Sequence, residues 1–302
     1  MYDHIARKLA DGDIIILDGG TGTDIQSRGV VMNGETWCAE ANLTHPDIVR
    51  QVHEDYFRAG ADIIIANTFA TSPLLFNALG RDDDLLEIDR VAVSLAREAA
   101  ADHLVAVAGS VSTMRPVARG SDRTSKKHKW PESDVQALYK RKADNLAGAG
   151  VDLLMMEMMR DTDYSVWATE AAMATGLPVW VGISVERRDG ELVGFGREDQ
   201  SLDDVARVFA AMKPAVITIM HSSPNDTDEA LDVVRKYWTG PLGAYPESGY
   251  FTMPDWTFVD IISPPDLIQK TRRWETQGAT IFGGCCGLGP EHIAALHREY
   301  SE

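Results

Sequence analysis

Eight short runs of β-forming apolar residues, each followed by a stretch of helical periodicity, most restrict the folds open to this chain. They lie at 13–18 (DIIILD), 62–67 (DIIIAN), 104–109 (LVAVAG), 151–157 (VDLLMME), 179–184 (VWVGIS), 215–220 (AVITIM), 241–245 (PLGAY, the weakest) and 279–283 (ATIFG). Apolar runs without polar alternation suit strands covered on both faces, as in a parallel sheet flanked by helices. Between them, the stretch 46–59 starts after Thr44-His45-Pro46 and stops at Gly60, and 134–149 stops at Gly150. Proline opening a helix and glycine closing it is the expected asymmetry. The joints AGADIII and AGVDLLM repeat one helix-to-strand connection. Eight such units predict an α/β fold of one kind, a single (β/α)8 TIM barrel over 1–302, in preference to an open sheet.

Composition narrows the function. With 29 basic against 46 acidic side chains the net charge is −17, the opposite of what a phosphate backbone requires, so no nucleic acid is expected as a partner. No run approaches the roughly 18 apolar residues of a membrane span, so no membrane is expected either. The first residues form no basic leader before an apolar stretch, and three cysteines, two of them adjacent, build no disulfide framework. A reducing, cytoplasmic setting fits, and there paired cysteines point to metal or thiol chemistry.

A barrel places its active groups at the C-terminal strand ends. The residues standing there are Asp18 before GGTGTD, Asn67-Thr68-Phe69, Gly109-Ser110, Glu157, His221, Tyr245-Pro246-Glu247, and Gly283-Gly284-Cys285-Cys286-Gly287. The last run is the sharpest signal. Two adjacent thiolates can share one zinc if the backbone turns tightly, which flanking glycines allow; the alternative is two small residues packed at a turn. Zinc needs a further protein ligand, and His221 is better placed for it than Cys38. The set His221, Cys285 and Cys286 leaves a fourth tetrahedral position for substrate.

The other motifs keep two readings each. GGTGTD with Gly19 and Gly20 lacks the third glycine of a dinucleotide fingerprint and is either a backbone-amide nest for a carboxylate or a tight turn. Glu157 ends an apolar run, where a carboxylate needs a partner: a structural cation or a substrate ammonium. The methionines around it (155, 156, 158, 159) read as core. The basic run Arg119 to Trp130 reads as a solvated loop overhanging the site.

LDGGTGTDIQSRG (17–29), the Trp37 region, HPDIVRQVHEDYFRAGADIIIANTF (45–69), AGVDLLMMEMMRDT (149–162) and GGCCG (283–287) together resemble the homocysteine S-methyltransferase family, in family order and over nearly the whole chain. The resemblance implies a methyltransferase with a Zn2+ cofactor held by three protein ligands, a small-molecule thiol acceptor, most simply homocysteine, and a small methyl donor. It implies that Cys285 and Cys286 are the terminal ligand pair and that Glu157 and Asp18 hold the amino-acid substrate. Gly19, Gly20, Asn67 and Thr68 would stand near it, and no catalytic group is expected beyond a zinc-activated substrate thiolate.

Two departures stand out. The family's third ligand is a cysteine, where this chain has Met220-His221, and the loop after the third strand carries the basic run instead of a Gly-Ser-Glu-Tyr-like segment. An imidazole in place of a thiolate makes the centre less negative and its bound thiolate less electron-rich. The alternative function is therefore a zinc- or thiol-binding homologue with altered or lost methyl transfer. One barrel leaves no room for a cobalamin or folate domain, so the donor is expected to arrive free or on another protein. A homo-oligomer is compatible with all of this.

Overall fold

Alternate residues of the apolar runs segregate into two cores, as a sheet covered on both faces demands. Ile15, Ile63, Ile65, Ala106, Leu153, Met155, Trp180 and Ile281 pack together on one side, while Ile16, Ile64, Val107, Leu154, Met156, Val181 and Phe282 pack against helices on the other. In the computed structural model, which describes residues 1–301 apart from 102, 118–123, 125–126 and 251–257, the first group fills a barrel and the second faces its helical coat.

The strands are β1 (Ile15–Ile16), β2 (Ile63–Ala66), β3 (Ala106–Ser112), β4 (Leu153–Met159), β5 (Val179–Ile183), β6 (Val185–Arg188), β7 (Glu191–Gly194), β8 (Arg197–Ser201), β9 (Val216–Met220), β10 (Leu242–Tyr245) and β11 (Ala279–Phe282). Eight form one sheet in the order β1-β11-β10-β9-β5-β4-β3-β2, parallel throughout. A parallel bridge between Leu17 and Ile63, with Asp62 N–H donating to the Ile16 carbonyl at 2.7 Å, joins the two ends and closes the ring. This is the (β/α)8 barrel that the sequence predicts. The helix Tyr2–Asp11 plugs its bottom, with Ile5 in the interior core and the Tyr2 hydroxyl accepting from Trp180 Nε1 at 3.1 Å.

Two features differ from expectation. The third strand begins later and runs further than 104–109: Leu104 is exposed, whereas Ser110, Val111 and Ser112 pair with Met155, Met156 and Glu157 of β4. And β6, β7 and β8 form a separate antiparallel sheet at the mouth of the barrel, which was not anticipated. Its first turn is Asp189-Gly190, both at positive φ (50° and 90°), the backbone that a tight hairpin requires. The expected helices occur as Pro46–Arg58, with Gly60 at φ 100°, and Glu132–Ala149, capped by Gly150 in the left-handed region. No helix among the described residues is long and apolar enough to cross a membrane.

Candidate active site

A cavity of about 780 Å3 opens at the C-terminal ends of the strands, and most of the predicted site residues line it. On one wall the loop after β9 meets the loop after β11. His221 follows β9 directly and sits at φ 42°, an uncommon conformation for a side chain of this size. It is held there by its N–H to the Tyr245 carbonyl (3.3 Å) and by the Ser184 hydroxyl donating to its carbonyl (2.9 Å). The cysteine loop is pinned by Cys285 N–H to Pro246 O (2.9 Å) and Ser248 N–H to Cys286 O (3.0 Å). Gly287 approaches so closely that a Cβ would stand 2.2 Å from the Ser248 carbonyl, and its φ of 85° also favours glycine.

The two loops bring three donors together. Cys285 Sγ lies 3.5 Å from His221 Nδ1 and 3.9 Å from Cys286 Sγ, and one ligand atom from each residue falls within 4.8 Å of the others. A tetrahedral zinc, with bonds of about 2.3 Å to sulfur and 2.0 Å to nitrogen, separates sulfur from sulfur by about 3.8 Å and sulfur from nitrogen by about 3.5 Å. The donor set and its spacing fit that ion. Cys286 contact and burial push the Cys285 thiol well above its ordinary range, so a divalent cation is what would hold that sulfur as a thiolate. Burial alone would lower the His221 pKa, but Glu247, with Oε2 3.1 Å from Nδ1, and Cys285 raise it to about 9.

Two carboxylates stand beside this cluster. Asp18 is fully buried; its Oδ2 accepts from Ile65 N–H at 2.7 Å and its Oδ1 has no hydrogen-bond partner among the described residues. Burial, and repulsion from Glu157, raise its pKa well above the ordinary carboxylate range despite that hydrogen bond. Glu157 lines the cavity, is 7 % exposed, and accepts from the Ser110 hydroxyl at Oε2. Burial pushes its pKa to about 7, with Ser110 opposing. The charge of the nearby His221 also opposes that rise.

The glycine run is a turn seated on the cysteine loop. Gly20 N–H goes to the Leu288 carbonyl (3.0 Å) and Thr21 N–H to the Gly19 carbonyl (2.9 Å), so these two amides are spent within the protein. A Cβ at Gly19 would meet the Leu288 carbonyl at 2.3 Å, and one at Gly20 the Cys285 carbonyl at 2.7 Å. Both glycines line the cavity, as does Asn67. The Asn67 side chain is engaged behind the wall, donating to the Cys38 carbonyl and to Asn42 Oδ1 (both 3.1 Å). Thr68 is fully buried, its hydroxyl donating to the Ser110 carbonyl at 2.9 Å, and it does not reach the cavity.

Cys38 lies outside the three-donor cluster but does line the cavity. Its thiol donates to Asn67 Oδ1 (3.1 Å) and burial pushes its pKa to about 12. Positions 119–123 and 125–126 of the basic run lie outside the described residues; Lys127, His128 and Lys129 are exposed, and Thr124 reaches the cavity.

Sequence reasoning missed the wall residues Arg115, Arg160 and Phe195, and it named Glu247 without foreseeing its approach to His221. Arg160 follows Glu157 by three residues and Arg115 follows β3, so strand-end position could have flagged both. Phe195 lies in the turn between β7 and β8 and presents its ring edge-on to His221, with centroids 5.1 Å apart. Arg160 is buried, and burial together with the nearby Arg115 lowers its pKa to about 10.

Comparison with known proteins agrees with this architecture. The family model described as homocysteine S-methyltransferase matches residues 15–300. The homocysteine S-methyltransferase of Escherichia coli K12 is 30% identical over 96% of this chain and 96% of its own length. Betaine–homocysteine S-methyltransferase 1 of Danio rerio is 27% identical over 98% of this chain and 75% of its own, and the selenocysteine methyltransferase of Astragalus bisulcatus is 27% identical over 95% and 92%. Among solved structures, the metallated form of the E. coli homocysteine methyltransferase MmuM superposes with a TM-score of 0.77, at 26% identity and 99% coverage of both chains. With a family model spanning nearly the whole barrel and relatives matched end to end, the chain belongs to the homocysteine S-methyltransferase family, and its relatives are methyltransferases.

Proposed function

We propose that the chain transfers a methyl group from a small sulfonium or quaternary-ammonium donor to the thiol of homocysteine, giving methionine, with zinc held by His221, Cys285 and Cys286. The observation that carries this reading is the three-donor cluster facing the cavity beside two buried carboxylates. When bound, zinc supplies a Lewis acid that keeps an acceptor thiol ionised near neutral pH.

The residues of the chain do the rest. Glu157 on the cavity wall, with the buried Asp18 close enough for their charges to repel, offers an amino-acid ammonium a desolvated counter-charge, and its arrival would favour both ionised forms. Met158, Phe69 and Phe195 supply apolar wall that limits water around the reacting atoms. The acceptor sulfur's lone pair forms the new S–C bond as the donor's C–S or C–N bond breaks. The bonding pair leaves with a neutral sulfide or amine, and the thiol proton has passed to solvent. Holding both partners in line in one cavity lowers the barrier mainly through proximity and orientation.

The test is a reduced, zinc-loaded enzyme assayed for methionine with homocysteine and S-methylmethionine, glycine betaine, dimethylsulfoniopropionate or S-adenosylmethionine. Methionine formed at catalytic rates with one of them is expected; none with any donor contradicts the reading. His221 in place of a third cysteine favours one rival, a zinc- and thiol-binding protein without turnover, which the same assay separates.

A further inference from the structure

The turn joining β7 to β8 is tied down at each of four successive residues, although β8 beyond it is mostly exposed. A Cβ on Gly194 would stand 1.9 Å from the Arg160 carbonyl, so the turn presses against the backbone just past β4. Phe195 N–H donates to the Ser184 carbonyl (3.0 Å), and the Phe195 carbonyl accepts from Arg160 Nη1 (3.3 Å). Gly196, at φ 68°, donates its N–H to Glu186 Oε1 (2.9 Å). Arg197 reaches Asp161 (2.8 Å) and Asp163 (3.1 Å) through Nη1 and Asp199 (3.0 Å) through Nε. The residue that this anchored turn adds to the cavity wall is Phe195.

The Phe195 ring meets the His221 ring, with centroids 5.1 Å apart and planes at 71°. Ser184 fixes both residues, since its carbonyl accepts from Phe195 and its hydroxyl donates to the His221 carbonyl (2.9 Å). Glu247 Oε2 stands 3.1 Å and Cys285 Sγ 3.5 Å from one nitrogen of the imidazole, Nδ1. That orientation matters, because an imidazole binds a metal only in its plane and only at a nitrogen. Histidine χ2 has two broad wells, and a half-turn about it puts the Cδ2 carbon where Nδ1 stood. Partners that orient a ligating histidine are worth about 10- to 100-fold in metal affinity.

We propose that Phe195 is a positioning residue for His221: carried on the anchored β7–β8 turn, its ring holds the imidazole with Nδ1 toward the cysteine loop. This rests on the metal centre proposed above. A thiolate sulfur accepts a metal from a wide range of directions and needs no such support. The anchored turn is therefore the structural counterpart of having histidine, and not cysteine, at position 221.

The experiment measures metal binding and not turnover. Zinc affinity of the reduced protein, read by competition with a chromophoric chelator, is compared for wild type, Phe195→Ala, Phe195→Leu and Phe195→Tyr. The alanine and leucine variants are also made together with His221→Cys and with His221→Ala. The visible spectrum of each Co2+-loaded protein reads the ligand set, and the thermal midpoint of each metal-free protein checks folding. Phe195→Ala should weaken zinc about tenfold, Phe195→Leu should lose part of that, and Phe195→Tyr, which keeps the ring, should stay near wild type. With His221→Cys the loss should shrink to less than about twofold, and with His221→Ala no further loss should appear, because the residue being positioned has gone. The Co2+ spectrum of Phe195→Ala should move toward that of His221→Ala. Where Phe195→Ala lowers the metal-free midpoint, Phe195→Leu carries the comparison. Wild-type affinity in the Phe195 variants while His221→Ala weakens zinc would overturn the proposal and leave the metal centre standing, and so would an equal loss with and without His221→Cys. No zinc binding by wild type, or an affinity indifferent to His221→Ala, would overturn the metal centre and this proposal with it.

Discussion

Replacing Glu157 with glutamine should make the protein more stable and bind its acceptor less well. Glu157 is 7 % exposed and burial holds its pKa at about 7, against an ordinary 4.5. Between those two values the folded state binds more protons than the unfolded state, so its stability falls as pH rises through that window. Linkage gives a cost of about 1 kcal/mol at pH 5 and about 3 kcal/mol at pH 8, all of it due to ionising this carboxyl in the native cavity. Glutamine keeps the oxygen that accepts from Ser110 and carries no charge. Urea unfolding of the reduced, metal-free protein at both pH values is the assay. Glu157→Gln should gain about 2 kcal/mol more at pH 8 than at pH 5. Homocysteine should weaken or abolish that difference in the wild type by supplying an ammonium. A Glu157→Gln variant with the same stability difference from wild type at both pH values would refute the reasoning.

Other positions give independent checks. His53, in the helix Pro46–Arg58, is fully buried with neither ring nitrogen hydrogen-bonded, and burial lowers its pKa to about 4. The unfolded state then binds more protons below pH 6.5, so stability is full above that value and declines toward pH 4; His53→Leu should recover about 2 kcal/mol at pH 5 relative to pH 8, read by denaturant midpoints. Lys142 and Asp89 form a fully buried ion pair at 2.6 Å. Lys142→Met should lose about 3–5 kcal/mol by stranding Asp89, and Lys142→Met with Asp89→Leu should recover much of it, so equal losses in single and double variants would count against this account.

The barrel was readable because its signal is local and repeated. AGADIII and AGVDLLM mark helix-to-strand joints, and even the weak run LGAY takes its place between β9 and β11 once the neighbouring strands are fixed. The sheet of β6, β7 and β8 is only faintly marked in the sequence, by the Asp189-Gly190 hairpin turn. Its strands are polar and partly exposed, as in RRDGE, and lack the continuous apolar runs that drew attention elsewhere. At the site, Asp18, Glu157, His221, Cys285 and Cys286 converge because strand ends converge in a barrel. The Arg160 surroundings could not be read the same way. They depend on the Phe195 carbonyl and on Thr124, which are 35 and 36 residues away in the chain, and on the arrangement of three arginines around Asp161. Thr68 shows the converse: its place in a motif is local, but its hydroxyl is committed to the Ser110 carbonyl.

The central claim is that His221, Cys285 and Cys286 form a metal centre that accepts a substrate thiol. Zinc K-edge X-ray absorption of the reduced, zinc-loaded protein, with and without homocysteine, tests it most directly. The account predicts two sulfurs and one imidazole nitrogen at zinc in the free protein, loss of the imidazole signature in His221→Ala, and a third sulfur when homocysteine is added. A sulfur count that does not change with homocysteine, or a spectrum indifferent to His221→Ala, would contradict it.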